Sequence, residues 1–409
     1  MLYFKSFKVL HREEAMVICV VCDVLGEENN GTTIAAMNLI RSLRARGHEV
    51  RVICPDADKK DLPGYYVVGT LNLGPFNGYV AKNDVVIAKG EKKVILAAFD
   101  GVDHVHIMMP FALGRKALHL AKKLGLSVSA GFHCQAENFT SHIHMKDSRI
   151  ANTLTYKFFY NRFYRYVDAI HYPTQFIREV FEQYGKPVAE AYVISNGVSR
   201  SFTSRRVRRP AKLEGRKLIL FTGRYSKEKS HRVLIEAAVK SRHAEEIQLI
   251  FAGAGPLENE LKALSVAKKL PHAPMFRFFS REQLVRVICA SDLYVHPAEV
   301  EIEAISCLEA ISCGLVPVIS DSPRSATRFF ALDEKNLFKC NDSQDLADKI
   351  DYWLEHPEEK TARYRDYLGF TKQFDFDECM DRMEQMIIET NARVRRQTQD
   401  GDDGDAGES

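Results

Sequence analysis

The sequence predicts an α/β chain built as two domains, each a parallel sheet with helices on both faces. Three observations carry this prediction. Apolar, β-rich runs alternate with amphipathic helical stretches along nearly the whole chain. A second set of strands begins after a basic stretch at 201–216. The length of 409 residues suits two domains of ordinary size, each able to bury its own core.

Strand one is read over 16–24, followed by a loop over 25–31 and a helix over 32–46 that Gly47 stops. Strand two takes 48–54. Further strands are read over 94–98, 104–108, 128–132, 169–172 and 191–194. The second set opens at 217–222 and continues through 248–252, 275–279, 293–296 and 316–320. The domains then read as an extension over 1–15, a first Rossmann-like domain over 16–200, the basic linker over 201–216 and a second Rossmann-like domain over 217–373. A helix over 374–394 is a candidate to cross back to the first domain. The tail over 395–409 is acidic, Gly-rich and without apolar anchors, so it is expected to be disordered.

Composition narrows the class. Hydrophobic residues at 45% and charged ones at 27% are ordinary for a soluble globular protein. No window approaches the apolar length of a transmembrane helix, and the N-terminus lacks a signal-peptide core. The nine cysteines are scattered, mostly in apolar runs, as reduced core thiols are. Cys19 and Cys22 have redox or metal spacing, but they lie in one strand with no second pair. Net charge is +3, unevenly spread: residues 1–200 carry 25 basic and 19 acidic residues, the rest 32 and 35. Arg205, Arg206, Arg208 and Arg209 cluster between the halves, as a solvated linker or a contact for an anionic membrane.

The most informative stretch is 295–320. It places Glu301 and Glu309 eight positions apart, in an order of strand, loop, helix, Gly314 and strand. That spacing puts one carboxylate at a helix N-terminus and the other about two turns along the same side. A helix start suits an anion such as a phosphate, and a carboxylate accepts the vicinal hydroxyls of a sugar or ribose. The second domain opens on Gly223, Arg224 and Lys229, a strand running into a glycine turn with two cations. Such cations stabilise a departing diphosphate, each charge-assisted contact being worth roughly 1.5–3 kcal/mol. Gly253 and Gly255 form a second glycine turn one βα unit later. The loop 26–31 lacks the GxGxxG spacing of a dinucleotide site. His142 and His144 have a spacing that suits metal, without further ligands nearby in sequence.

The E-x7-E stretch, the G-R-x4-K of Gly223 to Lys229 and the G-x-G-P of Gly253 to Pro256 together resemble the retaining family 4 glycosyltransferases. The resemblance runs from Met16 to about Val394. Several segments, among them Gly223 to Lys229 and Ser322 to Arg328, look like the bacterial branch that glucosylates membrane lipids such as cholesterol and diacylglycerol. It implies a GT-B fold, two Rossmann-like domains facing across a cleft. It also implies a nucleotide-sugar donor, UDP-glucose in the lipid branch, with no separate cofactor and no metal. On this resemblance Gly31 opens the first helix against the diphosphate, His133 touches the donor sugar, Arg224 and Lys229 hold the diphosphate, Glu301 takes the sugar and Glu309 the ribose. One departure is plain: Glu303 and Ala304 stand where most of the family has Phe and Gly. A lipid acceptor needs a membrane face, and 156–166 offers one, with Lys157, Arg162 and Arg165 on one side and most aromatics on the other; the same pattern also fits a helix packed under the first sheet. Other readings are a soluble or polysaccharide acceptor, a nucleotide-sugar 2-epimerase or a non-catalytic scaffold. Nothing points to nucleic acid. The expected location is cytoplasmic or peripheral on the inner membrane face.

Overall fold

The computed structural model describes residues 15–405 apart from 24, 26–30, 72–87, 138–139, 141–144 and 146. The first sheet is built from β1 (Val17–Val21), β2 (Glu49–Cys54), β3 (Tyr65–Val67), β4 (His104–Ile107), β5 (Ser127–Gly131), β6 (Ala169–Tyr172) and β7 (Glu190–Val193). Its order is β3-β2-β1-β4-β5-β6-β7, all parallel. The second sheet takes β8 (Lys217–Thr222), β9 (Ile247–Ala252), β10 (Met275–Arg277), β11 (Leu293–His296), β12 (Pro317–Asp321) and β13 (Leu337–Lys339). Its order is β10-β9-β8-β11-β12-β13, again parallel. Both orders reverse direction once, between β1 and β4 and between β8 and β11. Open parallel sheets bind ligands at the carboxyl ends of strands beside such a reversal.

Helices cover both faces because their apolar stripes repeat at helical period. The helix Gly31–Ala45 buries Ala35, Ala36, Leu39, Ile40 and Leu43 on one side, and Gly47 ends it at φ 96. The segment read as a strand over 94–98 is instead the helix Lys92–Phe99. Its buried positions are Ile95, Ala98 and Phe99, a spacing of three and four. A short apolar run does not by itself separate a strand from a buried helix. The short strands β3 and β13 escape the sequence reading.

The chain crosses between domains twice, and the crossings meet. Val198 donates its N–H to Phe374 (2.7 Å), and Phe376 donates to Val198 (3.2 Å). After the second crossing the helix Phe376–Asp405 lies on the first sheet. Met380, Met383, Met386 and Ile387 enter one core with Ile18, Val20, Leu39 and Val52. His48 Nε2 meets Glu384 at 2.8 Å, and Tyr192 donates to Glu389 at 3.0 Å. The helix does not stop at Val394 but continues to Asp405, where the sequence predicts a disordered tail. Arg393 and Arg395 tie its later turns to Glu190 and Asp103, which the tail's composition does not reveal.

The linker splits in character. Arg209 is pinned to the second domain, donating to Ala290 O (2.8 Å) and Asp292 (2.7 Å), while Arg205, Arg206 and Arg208 are exposed. Of the cysteines read as core thiols, Cys19, Cys22, Cys54, Cys307 and Cys313 are buried and free, whereas Cys289 is free but only half-buried. Among the described residues no helix is long and apolar enough to cross a membrane.

Candidate active site

A cavity of about 430 Å³ opens at the carboxyl ends of β8 and β9. Gly223, Arg224, Gly253 and Glu309 all line it, together with Thr222 and Ser306. Ile34 reaches it from the first helix of the opposite domain, and Phe202 from the linker. The two glycine turns are packed on one another: a Cβ on Gly253 would lie 2.0 Å from the Gly223 carbonyl oxygen. Gly253 is thus required by the protein itself. At Gly31, the first residue of its helix, a Cβ would meet no atom of the described residues within 4 Å, so none of those residues demands glycine there.

Glu301 and Glu309 do not share a helix face. The helix begins only at Ile305, with Ala304 as its cap, so Glu301 lies before it in an extended segment bridged to Ser325. The turn at Ala304 separates the two acids into different environments. Glu309 faces the cavity with Arg281 as its cationic influence, and burial pushes its carboxyl up to about 8 against that pull. Glu301 accepts from the Lys229 ammonium and lies 3.0 Å from His296 Nε2. Burial alone would raise its carboxyl, but Lys229 and His296 hold it at about 2. One acid is therefore held ionised and its neighbour in sequence protonated at neutral pH.

Buried hydroxyls connect the two acids' surroundings. His296 Nδ1 lies 3.2 Å from the Tyr294 hydroxyl, which lies 2.9 Å from Thr222 Oγ1 and 3.4 Å from Ser306 Oγ. Ser306 in turn donates to the Thr222 carbonyl at 3.2 Å. The path runs from Glu301 through β11 to the cavity wall. The sequence marks Tyr294 and His296 as part of a strand and of a segment resembling the family, without giving either a role in the site. The available signal was a histidine on the last residue of a strand, five positions before an acid.

His133 is not among the cavity's lining residues. Its ring folds back over Gly131, where a Cβ would lie 2.5 Å from Nε2, and its edge faces His171 at 5.6 Å between centroids. Burial and the neighbouring His171 push its imidazole down to about 3. The first domain contributes a further buried acid that the sequence reading passed over, Asp23, after β1 at the reversal of strand order. Burial pushes its carboxyl up to about 7, against the N–H groups of Leu113 and Gly114. His142 and His144 lie outside the described residues. No group of three or more His, Cys, Asp or Glu suited to a metal occurs among the described ones.

The helix Arg149–Arg162 follows the second of its two sequence readings, packed under the first sheet with its basic residues outward. Tyr156 and Phe159 are buried, as are Phe163 and Tyr164 just beyond it, so most of the aromatic side is core. The outward side carries Lys157, Arg162 and Arg165 around an apolar stripe of its own, Ile150, Leu154 and Phe158, at 75%, 63% and 46% exposure.

Comparison with known proteins fits this geometry. Residues 29–202 match the family described as Glycosyltransferase Family 4, and residues 204–368 match Glycosyl transferases group 1. The chain is 23% identical over 318 residues to the alpha-monoglucosyldiacylglycerol synthase of Streptococcus pneumoniae, covering 75% of this chain and 71% of that protein. It is 25% identical over 312 residues to the GDP-mannose-dependent alpha-mannosyltransferase of Mycolicibacterium smegmatis, covering 75% and 79%. Its fold matches the sucrose-phosphate synthase of Thermosynechococcus elongatus at a TM-score of 0.72 and 15% identity, over 92% of this chain and all of that one. With two parallel Rossmann-like sheets in the GT-B arrangement and both family matches spanning its two domains, the chain belongs to the family 4, group 1 glycosyltransferases.

Proposed function

We propose that the enzyme transfers a hexose, glucose from UDP-glucose, with retention to a hydroxyl of a membrane lipid such as diacylglycerol or a sterol. The donor part rests on the cavity at β8 and β9. Arg224 and the backbone turns at Gly223 and Gly253 suit a diphosphate, and Glu309 in the same wall suits a ribose diol. Glu301 suits the sugar hydroxyls, and its contact with Lys229 means that a phosphate using this ammonium shares it with Glu301. In this reading the bond from the anomeric carbon to the phosphate oxygen breaks as the acceptor oxygen forms its bond on the same face. The departing phosphate takes the acceptor's proton. Arg224 and Lys229 neutralise the charge that develops, so the reaction needs no metal.

The single observation favouring a lipid acceptor is the outward side of Arg149–Arg162. An apolar stripe ringed by three cations is the chemistry of a surface lying in an anionic interface. The lipid synthase named above supports the same reading. The mannosyltransferase relative favours GDP-mannose as the competing donor. The deciding experiment incubates the enzyme with radiolabelled UDP-glucose, UDP-galactose or GDP-mannose and total membrane lipid. Label from UDP-glucose is expected in the organic phase. Label that enters only a water-soluble product moves the acceptor to a soluble sugar. Donor consumption without any acceptor points to an epimerase.

A further inference from the structure

Glu303 stands two residues from Glu301, yet it points away from the cavity. Its side chain is 4% exposed and ends on the first crossing between the domains. The carboxylate accepts from Asn196 Nδ2 (2.6 Å), from the Asn196 backbone N–H (3.1 and 3.3 Å to its two oxygens) and from the Ser195 hydroxyl. Ser195 Oγ also accepts from Gly197 N (3.0 Å). Gly197 adopts φ 77, and a Cβ there would lie 2.8 Å from Phe376 Cα on the second crossing. Glu303 therefore holds the place where both crossings are stacked.

The rest of its loop is fastened in turn. Glu301 is tied to Lys229 and His296. The Ile302 carbonyl accepts from Thr174 Oγ1 of the first domain at 2.8 Å. Ala304 caps the helix that carries Glu309. Four consecutive residues thus connect a donor-side carboxylate, the opposite domain, the hinge and the helix lining the cavity. A rotation between the domains pivots at the crossings, and a carboxylate locked there by several hydrogen bonds transmits it to the loop.

We propose that Glu303 is a positioning residue that couples the interdomain crossing to the Glu301 loop, so that domain closure sets the placement of Glu301. It rests on the reading of Glu301 and Glu309 as donor contacts. Burial pushes the Glu303 carboxyl up to about 7 while Ser195 and Asn196 pull it back. Such a buried acid is retained against its desolvation cost only where its partners hold it, which agrees with the geometry.

The test uses the full chain with genetically encoded fluorescent probes at Val188 and Val266, exposed positions of the two domains. UDP is titrated into wild type, Glu303→Gln, Ser195→Ala and the double variant. Wild type is expected to show a change in probe distance on binding UDP. Glu303→Gln and Ser195→Ala are expected to bind UDP within about threefold of wild type, yet to lose that change. Turnover is expected to fall by about 10²-fold, the scale of a 1 Å misplacement, with the donor KM little altered. The double variant should be no worse than the poorer single one. Full turnover and an unchanged distance response in both single variants would overturn the proposal. So would a loss explained wholly by weaker UDP binding. Failure of wild type itself to bind UDP would instead sink the donor reading. Ser195→Ala keeps Glu303 and serves if Glu303→Gln fails to fold.

Discussion

Ala304 sits at φ 56 and ψ 63, a left-handed conformation that costs an L-residue with a Cβ roughly 1–2 kcal/mol. The family's glycine at this point adopts the conformation freely, so the departure noted in the sequence leaves the backbone path intact and adds strain. Ala304→Gly is expected to raise unfolding free energy by a few tenths to about 1 kcal/mol, since glycine's larger unfolded-state entropy offsets part of the relief. Denaturant titration reads this directly, and a destabilised variant would mean that the methyl group packs usefully. The two acids flanking this turn should also separate by experiment. Glu309→Gln is expected to weaken UDP binding by calorimetry by up to about tenfold, as for one lost neutral hydrogen bond of about 1 kcal/mol. Glu301→Gln should leave UDP binding near wild type and reduce turnover, because Glu301 is read as a contact of the sugar, which UDP lacks. Equal damage to UDP binding in both variants would show that the assigned roles are wrong.

Elements were legible in the sequence where pattern and punctuation agreed. The strand over 217–222 and the stop at Gly314 (φ 101) stand where the residues place them, because a buried strand and a left-handed glycine are local properties. The helix Lys92–Phe99 was hidden because its run of apolar residues is too short to display a period. The position of Glu301 off the helix depends on Ala304, a residue with no propensity for the turn it makes. The clamp of Glu303 on Ser195 and Asn196 joins residues 107 and 108 apart, which no local pattern announces. The helix Arg149–Arg162 shows both outcomes, since its aromatic side packs as core while its basic side stays outward. That outward side predicts salt-sensitive sedimentation of the enzyme with anionic vesicles, weakening as the Debye length shortens. Replacing Lys157, Arg162 and Arg165 by Ser should reduce it while UDP affinity stays unchanged. Replacing Ile150 and Leu154 by Ser should reduce it further and leave the salt dependence in place. A triple variant that sediments like wild type would mark this surface as ordinary solvated protein.

Across the whole molecule, buried titratable groups set opposing pH dependences. Burial pushes Asp23 to about 7, Glu303 to about 7 and Glu309 to about 8, all above their ordinary carboxyl values. The folded chain holds these protons through a window in which the unfolded chain has lost them. Their contribution is therefore full below the ordinary carboxyl range and is lost as pH rises through 7 to 8. Burial moves histidines the other way: His104, His133 and His231 fall to about 3, His171 to about 4, and His106 and His296 are also lowered. The unfolded chain binds protons at these rings below about 6.5, so their contribution is present above that pH and is lost as pH falls. Glu301, held at about 2, adds to the same acid-side loss, and His243, raised by Glu246, opposes it in part. The lowered histidines outnumber the raised carboxyls, so stability declines below about 6.5. Above that pH the six lowered histidines are neutral in both states. The slope is then set by the three carboxyls and His243 and, from about pH 8, also by buried thiols such as Cys19 and Cys22, which keep protons that the unfolded chain loses. Stability should therefore peak between about pH 6 and 7, with each proton contributing up to about 1.4 kcal/mol per pH unit on either limb. Denaturant midpoints measured from pH 5 to pH 9 test the shape. Glu309→Gln removes one of the three carboxyls without touching the histidines. It is expected to flatten the limb above pH 7, steepen the rise between about pH 5 and 6.5 and melt above wild type at pH 8. An alkaline limb identical in the two proteins would mean that Glu309 is ionised in the folded chain at neutral pH, and that Arg281 and the cavity wall hold its charge.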